Sequence, residues 1–342
     1  MPKEVIGVTP GKLEWKNYED KPLGPKEIRI TPQFAAAKHG TEMAYFKGYF
    51  FDRGDFDGKA GCFGPPSKNT APPPYSIGNM FVGTVTEIGK DVTKFKVGDR
   101  ACSFGPFRPS STSGEDWSWK MTKEMPWQNA VCLDPAEFAM GAVRDGQVRV
   151  GDAVAIFGLG AIGLMAVQLA RLSGATTIIA LDPLENRRAV ATKLGATLTL
   201  DPTKCDAGLE IRKATGGRGA DVAIEYSGSR PGLQAALRGI AFGGNVVCGA
   251  FPPPYDAGLD FGAEAHFNRP NIIFSRACSD PGRDHPRWDN NRIFATCWQL
   301  LSDGRLSGTD IVTPIVPFDN VLEEYPRVIT NPASGIKLGV KF

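Results

Sequence analysis

The chain has 342 residues, of which 42% are hydrophobic, and its 39 Lys and Arg against 37 Asp and Glu leave a formal net charge of +2. This even charge argues against nucleic acid or an anionic membrane surface as a partner. The sequence shows neither the pattern of a signal peptide nor an apolar run of ~20 residues, so we expect neither export nor a membrane span. The seven cysteines contain no Cys-x-x-Cys pair, so we expect neither a disulfide framework nor a thiolate zinc cage. Together these features favour a cytoplasmic protein that acts on a small molecule.

Residues 1–137 have the pattern of short strands joined by loops. Alternating apolar and polar residues predict strands at 27–31 and 81–88. The stretch 50–75 is rich in Gly, Pro, Asp and Lys, and it predicts a long ordered loop of the kind that often carries function.

Residues 138–304 alternate between strand and helix patterns. Strands are predicted at 153–157, 177–181, 221–225, 245–249 and 271–275, and helices at 161–173, 185–194, 231–240 and 289–302. This alternation predicts right-handed crossovers and a parallel sheet covered on both faces. Residues 305–342 return to short strands, at 311–316 and 335–342.

The most specific motif, Gly158-x-Gly160-x-x-Gly163, lies where the strand 153–157 meets its helix. In a dinucleotide-binding turn the first glycine permits the tight turn, the second lets a pyrophosphate approach the main chain, and the third lets the helix pack on the strand. Ala161 and Ile162 then open the helix, whose free N–H groups and positive end face the phosphates.

Asp182 ends the next predicted strand, 19 residues beyond Gly163. At this position an acid accepts hydrogen bonds from the adenosine ribose hydroxyls. A carboxylate there also repels the 2′-phosphate of NADP, so the sequence favours NAD as the cofactor. The alternative is that Asp182 caps the helix that begins near Leu184, and both roles are compatible.

Four further segments, residues 83–100, 150–154, 220–228 and 243–249, carry a resemblance to the medium-chain dehydrogenase/reductase superfamily that covers nearly the whole chain. Residues 272–278 resemble sorbitol dehydrogenase-like polyol and alcohol dehydrogenases. The resemblance implies an α/β fold, with a GroES-like β-barrel catalytic domain at 1–137 and 305–342. A Rossmann doubly wound parallel-sheet cofactor domain is expected at 138–304, with the active site in the cleft between the domains.

The resemblance fails at the zinc positions. Zinc-dependent members have Cys-Gly-Thr-Asp where this chain has His39-Gly-Thr-Glu42, and Gly-His-Glu where it has Gly78-Asn-Met80. The lobe that binds structural zinc needs four closely spaced cysteines, and here only Cys102 and Cys132 remain. Because an asparagine amide is a poor zinc ligand, we expect a zinc-less member with no metal in the site.

Without a metal, side chains must take the alcohol proton and stabilise the developing alkoxide. His39 stands at the lost ligand position, and its ordinary pKa of ~6.5 suits proton transfer near neutral pH; Lys38 is the rival base. Thr41 matches the family's proton-relaying hydroxyl, and Asn79 can donate to an oxyanion. The plainer alternatives are a structural histidine, a solvated lysine and a threonine that caps the following helix.

Further candidates follow from position in the family. Around the cofactor the resemblance implies Arg187 beside the adenine ribose, Ser227 near the adenine, Gly249, Ala250 and Arg276 beside the nicotinamide, and Lys337 at the pyrophosphate. Around the substrate we expect Tyr45, one helical turn after Thr41, together with Trp117, Trp119 and Arg276. The alternatives are solvated charges and core aromatic residues.

We therefore expect an NAD-dependent, zinc-independent oxidoreductase that transfers hydride between a polyol, sugar or related secondary alcohol and the nicotinamide. Two alternatives stay open: a zinc-less quinone or alkenal reductase, which usually favours NADPH, and a non-catalytic dinucleotide-binding protein. A homodimer or homotetramer is expected, because the strand at 271–275 is predicted at a sheet edge, where it can pair across a two-fold axis.

Overall fold

The computed structural model describes residues 1–50, 53–65, 74–276 and 282–342, and for His39 only the main chain. The chain forms two compact units: unit 1 is Met1–Val131 with Val312–Phe342, and unit 2 is Cys132–Ile311. Unit 2 extends beyond the predicted 138–304 at both ends. At its start, the helix Leu133–Asp145 packs as a whole against other helices of the same unit.

The strands in the described residues, in chain order, are β1 (Lys3–Thr9), β2 (Lys12–Asn17), β3 (Glu27–Ala36), β4 (Phe56–Asp57), β5 (Cys62–Phe63), β6 (Tyr75–Ser76), β7 (Met80–Ile88), β8 (Arg100–Phe104), β9 (Ser111–Gly114), β10 (Ser118–Lys120), β11 (Ala153–Phe157), β12 (Thr177–Leu181), β13 (Leu198–Leu200), β14 (Ala220–Glu225), β15 (Ile240–Cys248), β16 (Asn271–Phe274), β17 (Val312–Pro317) and β18 (Lys337–Lys341). The α-helices are α1 (His39–Phe46), α2 (Trp127–Ala130), α3 (Leu133–Asp145), α4 (Ala161–Leu172), α5 (Glu185–Leu194), α6 (Ala207–Ala214), α7 (Arg230–Gly239), α8 (Glu264–Asn268), α9 (Asn290–Ser302) and α10 (Val321–Thr330). None of these helices is long and apolar enough to cross a membrane.

The main sheet of unit 1 has the order β10-β8-β7-β3-β18-β17, with β9 also paired to β3. Its neighbours pair antiparallel except β17 and β18, which run parallel. Apolar residues of β3, β7 and β18, among them Ile28, Ile30, Phe81 and Leu338, are fully buried and build the core of this unit. The predicted strand at 27–31 therefore continues to Ala36, deep into the sheet.

Two predictions in unit 1 need correction. The described part of the predicted loop 50–75 contains the hairpin β4–β5, in which Phe56 pairs with Phe63, and reaches the first residue of β6. The segment 305–342, predicted as short strands only, also contains α10. Pro326 inside this helix is a residue that ordinarily ends a helix, so the pattern was not recognised.

Unit 2 is built on a parallel sheet with the order β13-β12-β11-β14-β15-β16. The strands β11 and β12 and the helix α5 have the predicted bounds, and α3, β13 and α6 were not predicted. β15 begins at Ile240, five residues before the predicted 245, and ends at Cys248. The strand order reverses between β11 and β14, which is where doubly wound sheets bind their ligands.

Candidate active site

The glycine-rich turn of unit 2 lies at the point where the strand order reverses. Gly158 follows β11 with a φ of 85°, and a Cβ on it would lie 2.5 Å from the main-chain nitrogen of Ser227, which comes after β14. A Cβ on Gly163 would lie 1.9 Å from the carbonyl oxygen of Gly158. Gly160, the N-cap of α4, has no atom within 4 Å of the place a Cβ would take. This open space beside the first N–H groups of α4 fits the pyrophosphate of a dinucleotide.

Asp182 follows β12 and is buried. One carboxylate oxygen accepts from the N–H of Leu159 at 2.9 Å, and the other accepts from the N–H of Leu184 at 2.9 Å. The N-cap of α5 is Leu184, so the prediction that Asp182 caps this helix is wrong: Asp182 holds the main chain at two turns instead. Each oxygen retains a further lone pair that can accept from a ribose hydroxyl.

Arg187 lies beside this carboxylate, with Nη1 3.7 Å from Asp182 Oδ2. Its side chain is largely buried. Burial lowers the pKa of the guanidinium, whereas the negative charge of Asp182 raises it. The alternative of a solvated helix charge is therefore wrong, and the pair forms one buried unit at the end of β12.

Glu225, which was not predicted, organises the loop after β14. Its carboxylate accepts from the N–H of Ser227 at 2.7 Å, from the N–H of Gly228 at 3.1 Å and from the Ser227 hydroxyl. Its main-chain oxygen accepts from the N–H groups of Gly249 and Ala250 at 3.0 and 3.2 Å. Glu225 therefore holds three predicted cofactor residues, Ser227, Gly249 and Ala250. Burial raises the pKa of its carboxyl group, and the hydrogen bonds from Ser227 and Gly228 lower it in part. A buried acid at the end of an apolar strand was the signal in the sequence.

In unit 1, three neighbouring strands bring distant parts of the sequence together. β3 ends at Ala36, which pairs with Met80 at the start of β7 on one side and with Gly339 near the start of β18 on the other. The first residues of α1, the turn before β7 and Lys337 therefore lie at the same end of the sheet.

Asn79 is held by its main chain while its side chain points its donor into the protein. Its N–H donates to the oxygen of Ala36 at 3.0 Å, and its oxygen accepts from the N–H of Gly105 at 3.0 Å. The side chain is 9% exposed, and Nδ2 is buried with no hydrogen-bond partner among the described residues. Because buried polar atoms are almost always paired, this donor is available to a ligand oxygen.

Two buried ionisable side chains, Glu42 and Lys337, lie at this end of the sheet, and only Lys337 was predicted as a site residue. Glu42 on α1 accepts from the N–H of Gly78 at 2.9 Å and from the hydroxyl of Tyr325 at 2.8 Å. Burial raises the pKa of Glu42, whereas these two hydrogen bonds and the positive charge of Lys337 lower it in part. Lys337 is 3% exposed, and Nζ donates to the oxygen of Ala37 at 2.6 Å, so the alternative of a surface lysine is wrong.

The first turn of α1 carries the remaining predicted catalytic residues. Lys38 is the N-cap and His39 the first helical residue, but the side chain of His39 lies outside the described residues. Thr41 lies inside the helix, so the alternative that it caps α1 is wrong. Burial raises the pKa of the Tyr45 hydroxyl, and the positive charge of Lys38 lowers it in part.

Tyr45 belongs to a cluster of three rings. Its centroid lies 4.4 Å from that of Phe50 and 5.3 Å from that of Tyr75. Burial, with a contribution from the charge of Glu42, raises the pKa of Tyr75 to about 12. All three residues are partly exposed, and aromatic rings suit contact with the apolar face of a sugar ring.

The other predicted substrate residues are Trp117, Trp119 and Arg276. Trp119 packs edge-to-face on Phe104 with ring centroids 5.7 Å apart, and Trp117 is 57% exposed in the short turn Glu115–Trp117. Arg276 is exposed and follows β16 in unit 2; residues 277 and 278 of the segment that suggested it lie outside the described residues.

Two of the residues at the family's zinc positions offer no zinc ligand. Asn79 offers an amide, and the thioether of Met80 is fully buried in β7. Within the part of the chain that the structure describes, no group of three or more His, Cys, Asp or Glu residues is placed to hold a metal ion. Zinc in proteins is held by thiolate, imidazole or carboxylate groups, and neither Asn79 nor Met80 supplies one of these.

Two family models match the chain, one in each unit. Residues 24–125 match the alcohol dehydrogenase GroES-like domain, and residues 161–284 match the zinc-binding dehydrogenase family. The predicted fold class, a GroES-like domain with a Rossmann domain, is confirmed.

Individual proteins resemble the chain over its full length. D-guloside 3-dehydrogenase of Escherichia coli K12 is 43% identical over 99% of this chain and 100% of its own. A Sinorhizobium meliloti 1021 dehydrogenase, solved bound to NADP, has a TM-score of 0.79 at 22% identity, covering 100% of this chain and 99% of its own. An Escherichia coli CFT073 alcohol dehydrogenase, solved with NADH, has a TM-score of 0.77 at 18% identity with the same coverage. At these identities the two solved structures bear on the fold alone.

Proposed function

Because the chain belongs to the medium-chain dehydrogenase/reductase superfamily of oxidoreductases, we propose that it transfers hydride between a secondary alcohol of a sugar, glycoside or polyol and NAD, without zinc. The observation that carries this proposal is the buried Nδ2 of Asn79, which has no hydrogen-bond partner among the described residues. It stands where zinc-dependent relatives have a metal-binding histidine. A metal stabilises negative charge on the reacting oxygen by coordinating it, and an amide donor at this position would stabilise the same charge by a hydrogen bond.

The glycine turn and Asp182 support a nicotinamide dinucleotide, and the acid favours NAD over NADP. Gly160 leaves room for the pyrophosphate at the start of α4, and the Asp182 carboxylate would face the ribose hydroxyls and repel a 2′-phosphate. When bound, NAD supplies the carbon that accepts the hydride.

The proton of the alcohol leaves through the first turn of α1. We assign His39 as the base, with Thr41 as the hydroxyl that relays the proton and Lys38 as the nearby positive charge. An imidazole suits reversible proton transfer near neutral pH. Asn79 then holds the oxygen on which negative charge develops.

Two observations support a carbohydrate as the substrate class. The relative that is 43% identical over almost the whole chain acts on a D-guloside, as its name states. The rings of Phe50 and Tyr75 pack against Tyr45, which lies on the helix that carries Thr41. Trp117 and Arg276, both exposed, remain candidates for contacts with the hydroxyl groups or the outer part of such a substrate.

A homodimer formed through β16 is the proposed assembly, and neither nucleic acid nor a membrane is a proposed partner. β16 ends the strand order of the unit 2 sheet in the described residues. Its Ile272 and Phe274 are 42% and 77% exposed. An exposed apolar edge strand is stabilised by pairing with a second copy across a two-fold axis.

The proposal is tested by following reduced cofactor formation with a panel of sugars, glycosides and polyols, each with NAD and with NADP, on protein purified without added metal. We expect turnover of at least one glycoside or polyol with NAD, and elemental analysis should give far less than one zinc per chain. One zinc per chain together with loss of activity to a chelator would show that the zinc-free chemistry is wrong.

A second test separates the two candidate bases. His39→Ala should lower kcat by roughly 10²–10⁴, the usual contribution of a positioned acid–base group, and should leave NAD affinity unchanged. Lys38→Ala is the matched control on the adjacent residue. Near-normal kcat in His39→Ala with activity lost in Lys38→Ala would reassign the base to Lys38.

A further inference from the structure

We propose that Glu42 is a positioning residue: its carboxyl group fixes the Gly78–Asn79 turn against helix α1 and thereby aims the Asn79 amide at the reacting oxygen. The inference rests on the proposed function, because it concerns the same oxygen. Glu42 was not among the catalytic candidates predicted from the sequence.

The main chain around Asn79 is held from three directions. The N–H of Asn79 bonds to Ala36 on β3, and the N–H of Gly105, just after β8, bonds to Asn79. The third contact comes from a side chain, since the N–H of Gly78 donates to Glu42 Oε1 at 2.9 Å. The first two contacts extend the sheet, whereas the third ties the turn to α1.

Gly78 gives the turn a conformation that needs such a tie. Its φ is 113°, and a Cβ on it would lie 2.6 Å from the main-chain nitrogen of Phe107. Glycine tolerates this backbone but also has the greatest conformational freedom of any residue. The hydrogen bond to Glu42 removes that freedom at the residue directly before Asn79.

The carboxyl group is itself fixed by its surroundings. Tyr325 on α10 donates to Oε2 at 2.8 Å, and Lys337 on β18 contributes its positive charge. Nζ of Lys337 donates to Ala37, the residue before the N-cap of α1. Glu42 and Lys337 therefore fasten the two partners of the site, the helix start and the Asn79 turn, to one buried cluster.

A buried carboxyl group contributes little net free energy to folding, because its desolvation offsets much of what its hydrogen bonds contribute. An apolar residue would pack in the same space without that penalty. The carboxyl group of Glu42 bonds to the residue directly before Asn79, and a positioning role explains why a buried acid is found there. A misplacement of ~1 Å at a reacting group can lower a rate by about 10²-fold.

The first test needs no activity and uses the full chain. We would record the side-chain amide signal of Asn79 by NMR, assigned with Asn79→Ala, in Glu42→Ala, Glu42→Asp and Glu42→Gln. Aspartate is one methylene too short to reach Gly78, whereas glutamine keeps an oxygen that can accept this N–H. The signal should move in the first two variants and stay in place in Glu42→Gln, and an unmoved signal in Glu42→Asp would overturn the proposal even if Glu42→Ala did not fold.

The second test uses kinetics in two backgrounds. Glu42→Asp should lower kcat by roughly 10–100-fold with an unchanged KM for NAD, and Glu42→Gln should stay within about threefold of the wild type. With Asn79→Ala already present, Glu42→Asp should cause no further loss, because the group it positions is gone. An equal loss in both backgrounds would overturn the proposal. If the wild type oxidises no alcohol, the proposed function fails, and the NMR result alone decides the positioning contact.

Discussion

Asp182 combines two tasks that a substitution can separate. Its carboxylate holds the N–H groups of Leu159 and Leu184, and under the proposed function it also repels a 2′-phosphate. Both tasks use the same two oxygens, so cofactor choice and local structure are linked at this residue.

We expect Asp182→Ala to weaken NAD binding by about 10–100-fold, the effect of losing hydrogen bonds to a charged group. NADP binding should weaken less or improve, because the repulsion is removed. Calorimetric titration of both cofactors checks this, with Asp182→Asn as a control that keeps one acceptor oxygen. Tighter binding of NADP than of NAD to the wild type would contradict the assignment.

Glu42 predicts an unusual pH dependence of stability. Because burial raises its pKa in the folded state, the folded protein favours the protonated form. The contribution of Glu42 is complete below its unfolded pKa of ~4.3 and is lost as the pH rises through the folded pKa. Glu42→Gln should therefore gain stability relative to the wild type from about pH 4 upward, in urea unfolding at constant ionic strength.

Glu115→Gln is the control with the opposite sign. Hydrogen bonds from the N–H groups of Lys94 and Thr93 lower the pKa of Glu115. Its contribution is present above the unfolded pKa and is lost as the pH falls. The stability gap of this variant should therefore close towards acid pH, and a gap for Glu42→Gln with the same trend would refute the role given to Glu42.

How far the site could be predicted depends on the distance between its parts along the chain. The glycines and Asp182 lie within residues 158–182, so their spacing alone locates the cofactor turn. The bond from Tyr325 to Glu42 joins residues 283 positions apart, and it exists only because β7, β3 and β18 are neighbours in the sheet. No local pattern reports such a contact.

The start of α4 allows a matched pair of substitutions in one element. A Cβ at Gly160 meets nothing within 4 Å, and the φ of −72° suits alanine. A Cβ at Gly163 meets the oxygen of Gly158 at 1.9 Å. Gly160→Ala should therefore leave the melting temperature unchanged while it weakens NAD binding, because the methyl group takes the space of the pyrophosphate.

Gly163→Ala should lower the free energy of unfolding by about 1–3 kcal/mol, the usual effect of overpacking. Thermal unfolding without cofactor, followed by titration with NAD, measures both variants. The interpretation would be wrong if Gly160→Ala were the destabilised variant or if both bound NAD like the wild type.

Among the elements, those with a clear apolar period were predicted within a few residues and the rest were missed. β11, β12 and α5 have the predicted bounds because apolar runs and turn residues mark them on both sides. α6 was not predicted: it is only eight residues long, its second residue is Gly208, and its Leu209 is exposed. In α10 the buried Val321, Tyr325 and Val328 do follow a helical period, but Pro326 masked it.

For the whole protein, the exposed edge at β16 predicts the state of assembly. Phe274→Arg should shift the protein from dimer to monomer in sedimentation velocity, because a charge at an apolar two-fold contact meets its own copy. Val150→Arg is the control, since Val150 is an 85% exposed apolar residue of the same unit. A wild type that is monomeric at micromolar concentration would contradict the proposed dimer.

The position of β18 has a consequence for how the protein is made. Unit 2 is one continuous stretch of chain, whereas unit 1 needs residues 312–342 to complete its sheet beside β3. Domains fold as units during synthesis, so we expect the cofactor-binding half to become protease-resistant on the ribosome while the half with Asn79 is still open. A released chain that ends near residue 330 should then bind NAD but lack the buried cluster around Glu42, because it contains all of unit 2 and lacks Lys337, which ties down the start of α1.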